Sequence, residues 1–213
     1  MRPTSELPRL SGALQYRVRR LVLLFRARPL AASATSEADR VVSYCTIELA
    51  NAWLQFVRSY YLSCVVGARQ GSGMRVRHSG SFATLNDALV QSAAIMGKRV
   101  RGKVPTPGEE PDWISPPTII KLSRSLSFTN QGEIAAAFGI TTSIFQPLTT
   151  CRNFYAHRSE RAADKIENLS RSLAVPLQRR ATVLLCSARP GGSHTIFEGW
   201  AGLIQAVGAA MSS

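Results

Sequence analysis

From about residue 37 to residue 67 the chain runs for some thirty residues with little charge and with no proline or glycine before Gly67. Val41, Val42, Tyr44, Cys45, Ile47, Leu49, Trp53, Leu54, Phe56, Val57, Tyr60, Tyr61, Leu62 and Val65 fall on every side of a 3.6-residue repeat. A helix that is apolar almost all round has to be covered by other helices, so this segment predicts an all-α fold, a helical bundle, around it. Ser36 reads as its cap, with Glu37 and Asp39 in the first turn, where carboxylates meet the free N–H groups and the positive end of the helix dipole. Glu48, Asn51, Gln55 and Arg58 recur at spacings of three and four and form one thin polar stripe. The stripe interrupts the apolar run enough to argue against a membrane span. It reads either as an exposed seam or as the wall of a cleft.

The rest of the chain supplies shorter covering pieces. Helices are expected over about 84–99, capped by Thr84, over 117–127 behind Pro116-Pro117, and over 130–139, ended by Gly139. A longer one is expected from Thr149–Asn153 to about Leu173, with Ala162, Ala163, Ile166, Leu169 and Leu173 on one face. Residues 182–186 could form a short strand or a buried helical turn. Residues 196–211 read as a closing helix carrying Trp200, Leu203, Ile204 and Val207. Loops are expected over 30–37, over 67–80, and over the proline-rich 102–117. The expected division is a basic N-terminal arm over 1–35, a bundle over 36–175 and a C-terminal extension over 176–213 that packs on the bundle.

Charge limits the partners. The 213 residues hold 26 Lys and Arg against 13 Asp and Glu, a net +13, and only Lys98, Lys103, Lys121 and Lys165 are lysines. Such an excess points to a polyanion, with nucleic acid ahead of an anionic membrane surface. A guanidinium meets two phosphate oxygens with a planar fork, which an ammonium cannot do. The four cysteines, Cys45, Cys64, Cys151 and Cys186, form no C-x-x-C pair, and reduced thiols in a cytoplasmic protein are the expectation. His78, His157 and His194 lie far apart without nearby thiols, so neither a metal site nor a cofactor is expected. Near the N-terminus, Leu21–Phe25 is too short an apolar core for a signal sequence. Residues 1–30, with seven arginines and Glu6, read as a basic amphipathic segment with helix potential.

One run carries chemistry: Arg152-Asn153-Phe154-Tyr155-Ala156-His157-Arg158. It resembles the signature of the HEPN superfamily, an Arg followed after four to six residues by a His, with a polar residue directly after the Arg. Glu48 through Phe56 is similar to that family's first core helix, and the layout resembles it over roughly residues 37–173. A second Arg-x4-His, Arg189 to His194, holds Pro190 and Gly191-Gly192 and is read as a loop without function. The resemblance implies an all-α endoribonuclease that needs no cofactor, acts as a homodimer, and serves as a toxin or phage-defence effector with an antitoxin or defence partner.

The residue types suit that chemistry. RNA brings its own nucleophile, the 2′-hydroxyl. Imidazole can take or give a proton at neutral pH, and an arginine can hold the charge that develops on the phosphorane. His157 and Arg152 thus cover proton transfer and charge stabilisation, and 2′,3′-cyclic phosphate and 5′-hydroxyl ends are the expected products. Residues four apart on a helix differ by about 40°, and residues five apart by about 140°. Asn153 is therefore expected beneath His157 and to orient it, with Arg152 reaching round or sitting at the helix start. Tyr155 is expected to pack. Arg158 and Arg161 beside the motif, and Lys98, Arg99 and Arg101 in the basic run before the proline-rich loop, are the expected RNA contacts. One His per chain leaves the second proton transfer open, and the resemblance assigns it to a second copy across a two-fold axis. Two other classes remain: a non-catalytic module that binds RNA or protein, and a basic protein that lies on membrane surfaces through residues 1–30.

Overall fold

Thirty residues of the expected buried segment do form one helix, Ser36–Val65, and its Val42, Cys45, Leu49, Trp53, Phe56, Tyr60, Tyr61 and Cys64 are all buried. In the computed structural model, which describes residues 1–27 and 36–213, the fold is all α. Among the described residues there are nine helices and, apart from isolated backbone bridges, no strand. The chain divides into two compact units. The first comprises Met1–Leu14, Trp53–Thr142 and Ala206–Ser213, and the second comprises Gln15–Ala52 and Ser143–Gln205.

Three long helices contribute to both units: α1 (Leu7–Arg26), α2 (Ser36–Val65) and the last helix of the chain, Ile196–Ser212. The expected basic arm is thus a core helix. Leu7, Leu10, Leu14, Val18, Leu21 and Phe25, spaced by three and four, are buried, and Arg9, Arg17, Arg19 and Arg20 stand on the exposed face. The apolar stripe decides this, because burying each such side chain contributes about 1.5–3 kcal/mol. The expected loop over 30–37 lies mostly outside the described residues.

In the first unit α3 (Leu85–Ile95), α4 (Pro116–Ser125) and α5 (Gln131–Ile140) cover the C-terminal half of α2. Thr84 caps α3 and Asp87 closes a capping box, as the sequence indicates. The helix stops short of residue 99 because Gly97 takes φ 73°. Gly97 N–H then donates to Ala94 and Lys98 N–H to Ala93, closing the end as a Schellman motif. Trp53 donates to the Ile114 carbonyl (3.2 Å), Tyr61 to that of Ala88 (2.9 Å) and Tyr60 to that of Met211 (2.5 Å). Two members of the polar stripe end in bonds here: Arg58 grips Glu110 with two N–H groups at 2.6 and 2.8 Å, and Gln55 accepts from the N-terminal ammonium at 3.1 Å. In this part the stripe is a half-buried seam that anchors a loop and the chain terminus.

In the second unit the expected helix over 149–173 is two helices, α6 (Phe145–His157) and α7 (Glu160–Ser172). They are followed by α8 (Ala181–Cys186), a helical turn with Leu184 and Leu185 buried, and α9 (Ile196–Ser212). Phe25 stacks on Phe197 with ring centres 4.4 Å apart, Arg26 pairs with Glu198 at 2.5 Å, and Gln205 donates to the Gln15 carbonyl at 3.3 Å. Glu48 and Asn51 of the stripe bond to each other at 3.1 Å.

Two glycines of α9 test this packing. A methyl group on Gly208 would come within 2.5 Å of Leu14 and 3.6 Å of Phe56, whereas one on Gly202 meets nothing within 4 Å. Gly208→Val is expected to cost about 1–3 kcal/mol by overpacking. Gly202→Ala is expected to gain about 0.5–1 kcal/mol by removing a flexible residue from a helix. Urea midpoints at unchanged slope check both.

Candidate active site

Arg152, Asn153 and His157 all lie in the last two turns of α6, and His157 is its final residue. The motif therefore ends a helix, and Arg152 does not stand at a helix start. The face of α6 toward the core carries Phe145, Leu148, Cys151 and Tyr155. At about 100° per residue, His157 and Asn153 fall together on the side away from that face, about 40° apart. Both are exposed, and among the described residues no hydrogen bond joins them. Arg152 falls about 140° from His157, at the margin of the buried face. It is half-buried, and its Nε–H is shut away from solvent without an acceptor. An unpaired buried donor of this kind costs about 1–3 kcal/mol.

The helix ends abruptly after His157, where a local cap and a distant contact meet. Arg158 adopts the left-handed conformation, φ 42° and ψ 35°, which a side chain other than glycine or asparagine rarely takes. Its N–H still closes on the Phe154 carbonyl at 2.8 Å. Ser159 then begins α7 as an N-cap, its hydroxyl accepting from the Ala162 N–H at 3.3 Å. Ser159 with Glu160 in the first turn was a readable start signal. The partner of Arg158 was not readable, because it lies at the start of α2: a guanidinium nitrogen of Arg158 lies 2.9 Å from an Asp39 carboxylate oxygen. The other Asp39 oxygen accepts from the Thr182 hydroxyl, which is 3.0 Å from the Tyr155 hydroxyl. One network thus ties α2, α6 and α8 together under the motif.

Tyr155, expected to pack, is buried, and burial pushes its phenol far above the ordinary range, with the Thr182 bond opposing. It stays neutral and serves the network rather than proton transfer. Burial also raises the Cys151 thiol, and it pushes Cys186 up to about 11, so neither supplies a thiolate nucleophile near neutral pH.

The expected RNA contacts are placed unevenly. Arg158 is more than half exposed but spends one edge on Asp39. Arg161 is exposed on α7. Lys98, Arg99 and Arg101 belong to the other unit. There the Lys98 ammonium donates to the Gly108 carbonyl at 3.2 Å and to that of Glu110, so it pins the proline-rich loop. Arg99 and Arg101 are exposed. Among the described residues no single helix is long and apolar enough to cross a membrane. Compared with family models, curated proteins and solved structures, the chain matches none.

The network makes a graded prediction. Asp39→Ala removes the acceptor shared by Thr182 and Arg158 and leaves one hydroxyl proton of the buried Thr182–Tyr155 pair without an acceptor, an expected loss of about 1–3 kcal/mol. Arg158→Ala removes only a half-exposed ion pair, an expected loss of about 1 kcal/mol or less. Thermal melts of the two variants check the order.

Proposed function

We propose that this chain is a metal-independent endoribonuclease of HEPN type, cutting RNA through the 2′-hydroxyl to leave 2′,3′-cyclic phosphate and 5′-hydroxyl ends. The observation that carries the reading is the presence, in the last two turns of one helix, of an exposed imidazole and an arginine whose buried Nε–H has no acceptor. In this reading His157 moves the proton and Arg152 holds the phosphorane oxygens. Asn153 sits beside the imidazole, and Arg158 and Arg161 offer further phosphate contacts. The resemblance of Arg152–Arg158 to the HEPN signature and the net charge of +13 support it. The same resemblance suggests a cytoplasmic toxin or defence effector restrained by a partner protein.

The resemblance implies a site completed by a second copy, with Arg152 of one protomer beside the partner's His157 across a two-fold axis, because the two groups of one chain stand about 140° apart around the helix. The same separation is what a non-catalytic RNA-binding module would show. That is the second reading.

Purified protein incubated with single-stranded RNA in EDTA separates the two. The expected result is cleavage that His157→Ala lowers by about 10²-fold or more. Arg152→Ala lowers it about 10²–10³-fold. Arg152→Lys does not rescue, because an ammonium lacks the fork. If Arg152 and His157 meet across a dimer, mixing the two inactive alanine variants restores about a quarter of wild-type activity, since half the dimers are mixed and each holds one intact centre of two. Cleavage that survives His157→Ala sinks the nuclease reading, and salt-sensitive binding without products supports the second.

A further inference from the structure

Outside the α6 motif, the C-terminal end of α2 carries two adjoining hollows with complementary chemistry, both within the first unit. One, of about 510 Å³, is lined by His78, Gly80, Ser81, Phe82 and Leu85. The other, of about 340 Å³, is lined by Thr4, Ser5, Gly67, Arg69 and Arg75. Val66, half exposed, borders both.

The first hollow is aromatic and holds no cation of fixed charge. The rings of His78 and Phe82 lie 5.3 Å apart, and Phe82 is only partly covered. His78 Nε2 lies 2.8 Å from the Val65 carbonyl, so Nε2 carries the proton and Nδ1 of the neutral ring is an acceptor. Nδ1 is buried and unpartnered. The ring of Phe82 comes within 2.5 Å of where a Gly80 methyl group would stand, so a residue without a side chain is what lets it close over the imidazole. The neighbouring start of α3 is already capped by Thr84 and carries the Asp87 carboxylate, so an anion is not at home there.

The second hollow is where an anion fits. Arg69 and Arg75 pair as antiparallel bridge partners, which places their side chains on one side of the backbone. Arg75 spends its Nε on the Gly67 carbonyl at 2.8 Å, and Arg69 one terminal nitrogen on the Gly73 carbonyl at 3.2 Å. These bonds brace both guanidinium groups, and both residues are exposed. Glu6, the bridge partner of Arg69 on its other side, is committed to Arg9 at 2.8 Å.

We propose that these two hollows together bind one nucleotide unit of single-stranded RNA, the base against Phe82 and His78 and its phosphate against Arg69 and Arg75. Stacking on an aromatic face beside a cationic groove is how single strands are held without a fixed sequence. A base that moves Phe82 aside brings an amine or ring N–H to the unpaired Nδ1. The site shares with the proposed function only the nature of the ligand. It lies in the unit that does not contain α6, and it does not require cleavage.

A fluorescent oligoribonucleotide with 2′-O-methyl groups tests it, because that strand cannot be cut through its 2′ position. Full-length protein is expected to bind it, and Phe82→Ala to weaken binding by about 5- to 100-fold. Replacing Arg69 and Arg75 together with alanine is expected to lower the slope of log affinity against log salt by about 0.7 for each phosphate that is no longer neutralised. Ser81→Glu, on an exposed rim position, is expected to weaken binding without disturbing the core, and it decides the matter if Phe82→Ala does not fold. Binding that is absent in the wild type, or unchanged within twofold in both Phe82→Ala and Ser81→Glu, overturns the proposal. Cleavage of ordinary RNA that still depends on His157 would then leave the nuclease reading intact, and binding without any cleavage would do the reverse.

Discussion

Burial of α2 on nearly every side is the constraint from which the rest of the molecule follows. Trp53, Phe56, Tyr60 and Tyr61 are shut off from solvent, and each phenol or indole that would otherwise be stranded finds a backbone carbonyl: Ile114 for Trp53, Met211 for Tyr60, Ala88 for Tyr61. Large aromatic groups supply the apolar area, and these single polar atoms fix where each covering segment stops. Asn130, itself buried, donates to the Tyr60 hydroxyl at 2.8 Å and extends the same arrangement to α5. A core of this kind tolerates little sliding, because shifting a covering helix by one residue would orphan a buried donor.

The same helix reaches the candidate site by its other end. Asp39, one turn into α2, supplies the carboxylate that Arg158 meets just past the end of α6. The imidazole is presented at the tip of a helix where the local Ser159 cap begins α7 and where an ion pair and two hydroxyls join α2, α6 and α8. Arg152 adds a local misfit, a half-buried guanidinium with an unmet donor.

Arginine explains much of what the surface can do. On α1 the arginines flank a buried apolar stripe on the exposed face; at Arg26, Arg58 and Arg158 they pair with carboxylates; at Arg69 and Arg75 they are braced by backbone carbonyls with N–H groups left over. The last arrangement differs from a solvated charge because the side chains have already lost rotamer freedom. A phosphate that meets them has less ordering left to do.

The all-α class, the buried thirty-residue helix, the Thr84 cap and the closing helix from Ile196 were legible in the sequence. Each rests on periodicity or a local cap, which are properties of neighbouring residues. The motif was equally legible as a string of residue types. The tertiary structure decided what no local window holds: that residues 7–26 are a core helix rather than an arm, that Arg158 meets Asp39 where α6 and α7 separate, and that Lys98 pins a loop. Each of these turns on a partner outside the local window, such as Asp39 for Arg158 or Phe197 for Phe25. A side chain's direction is set by the lowest free energy of the whole packing, which its near neighbours in sequence do not specify.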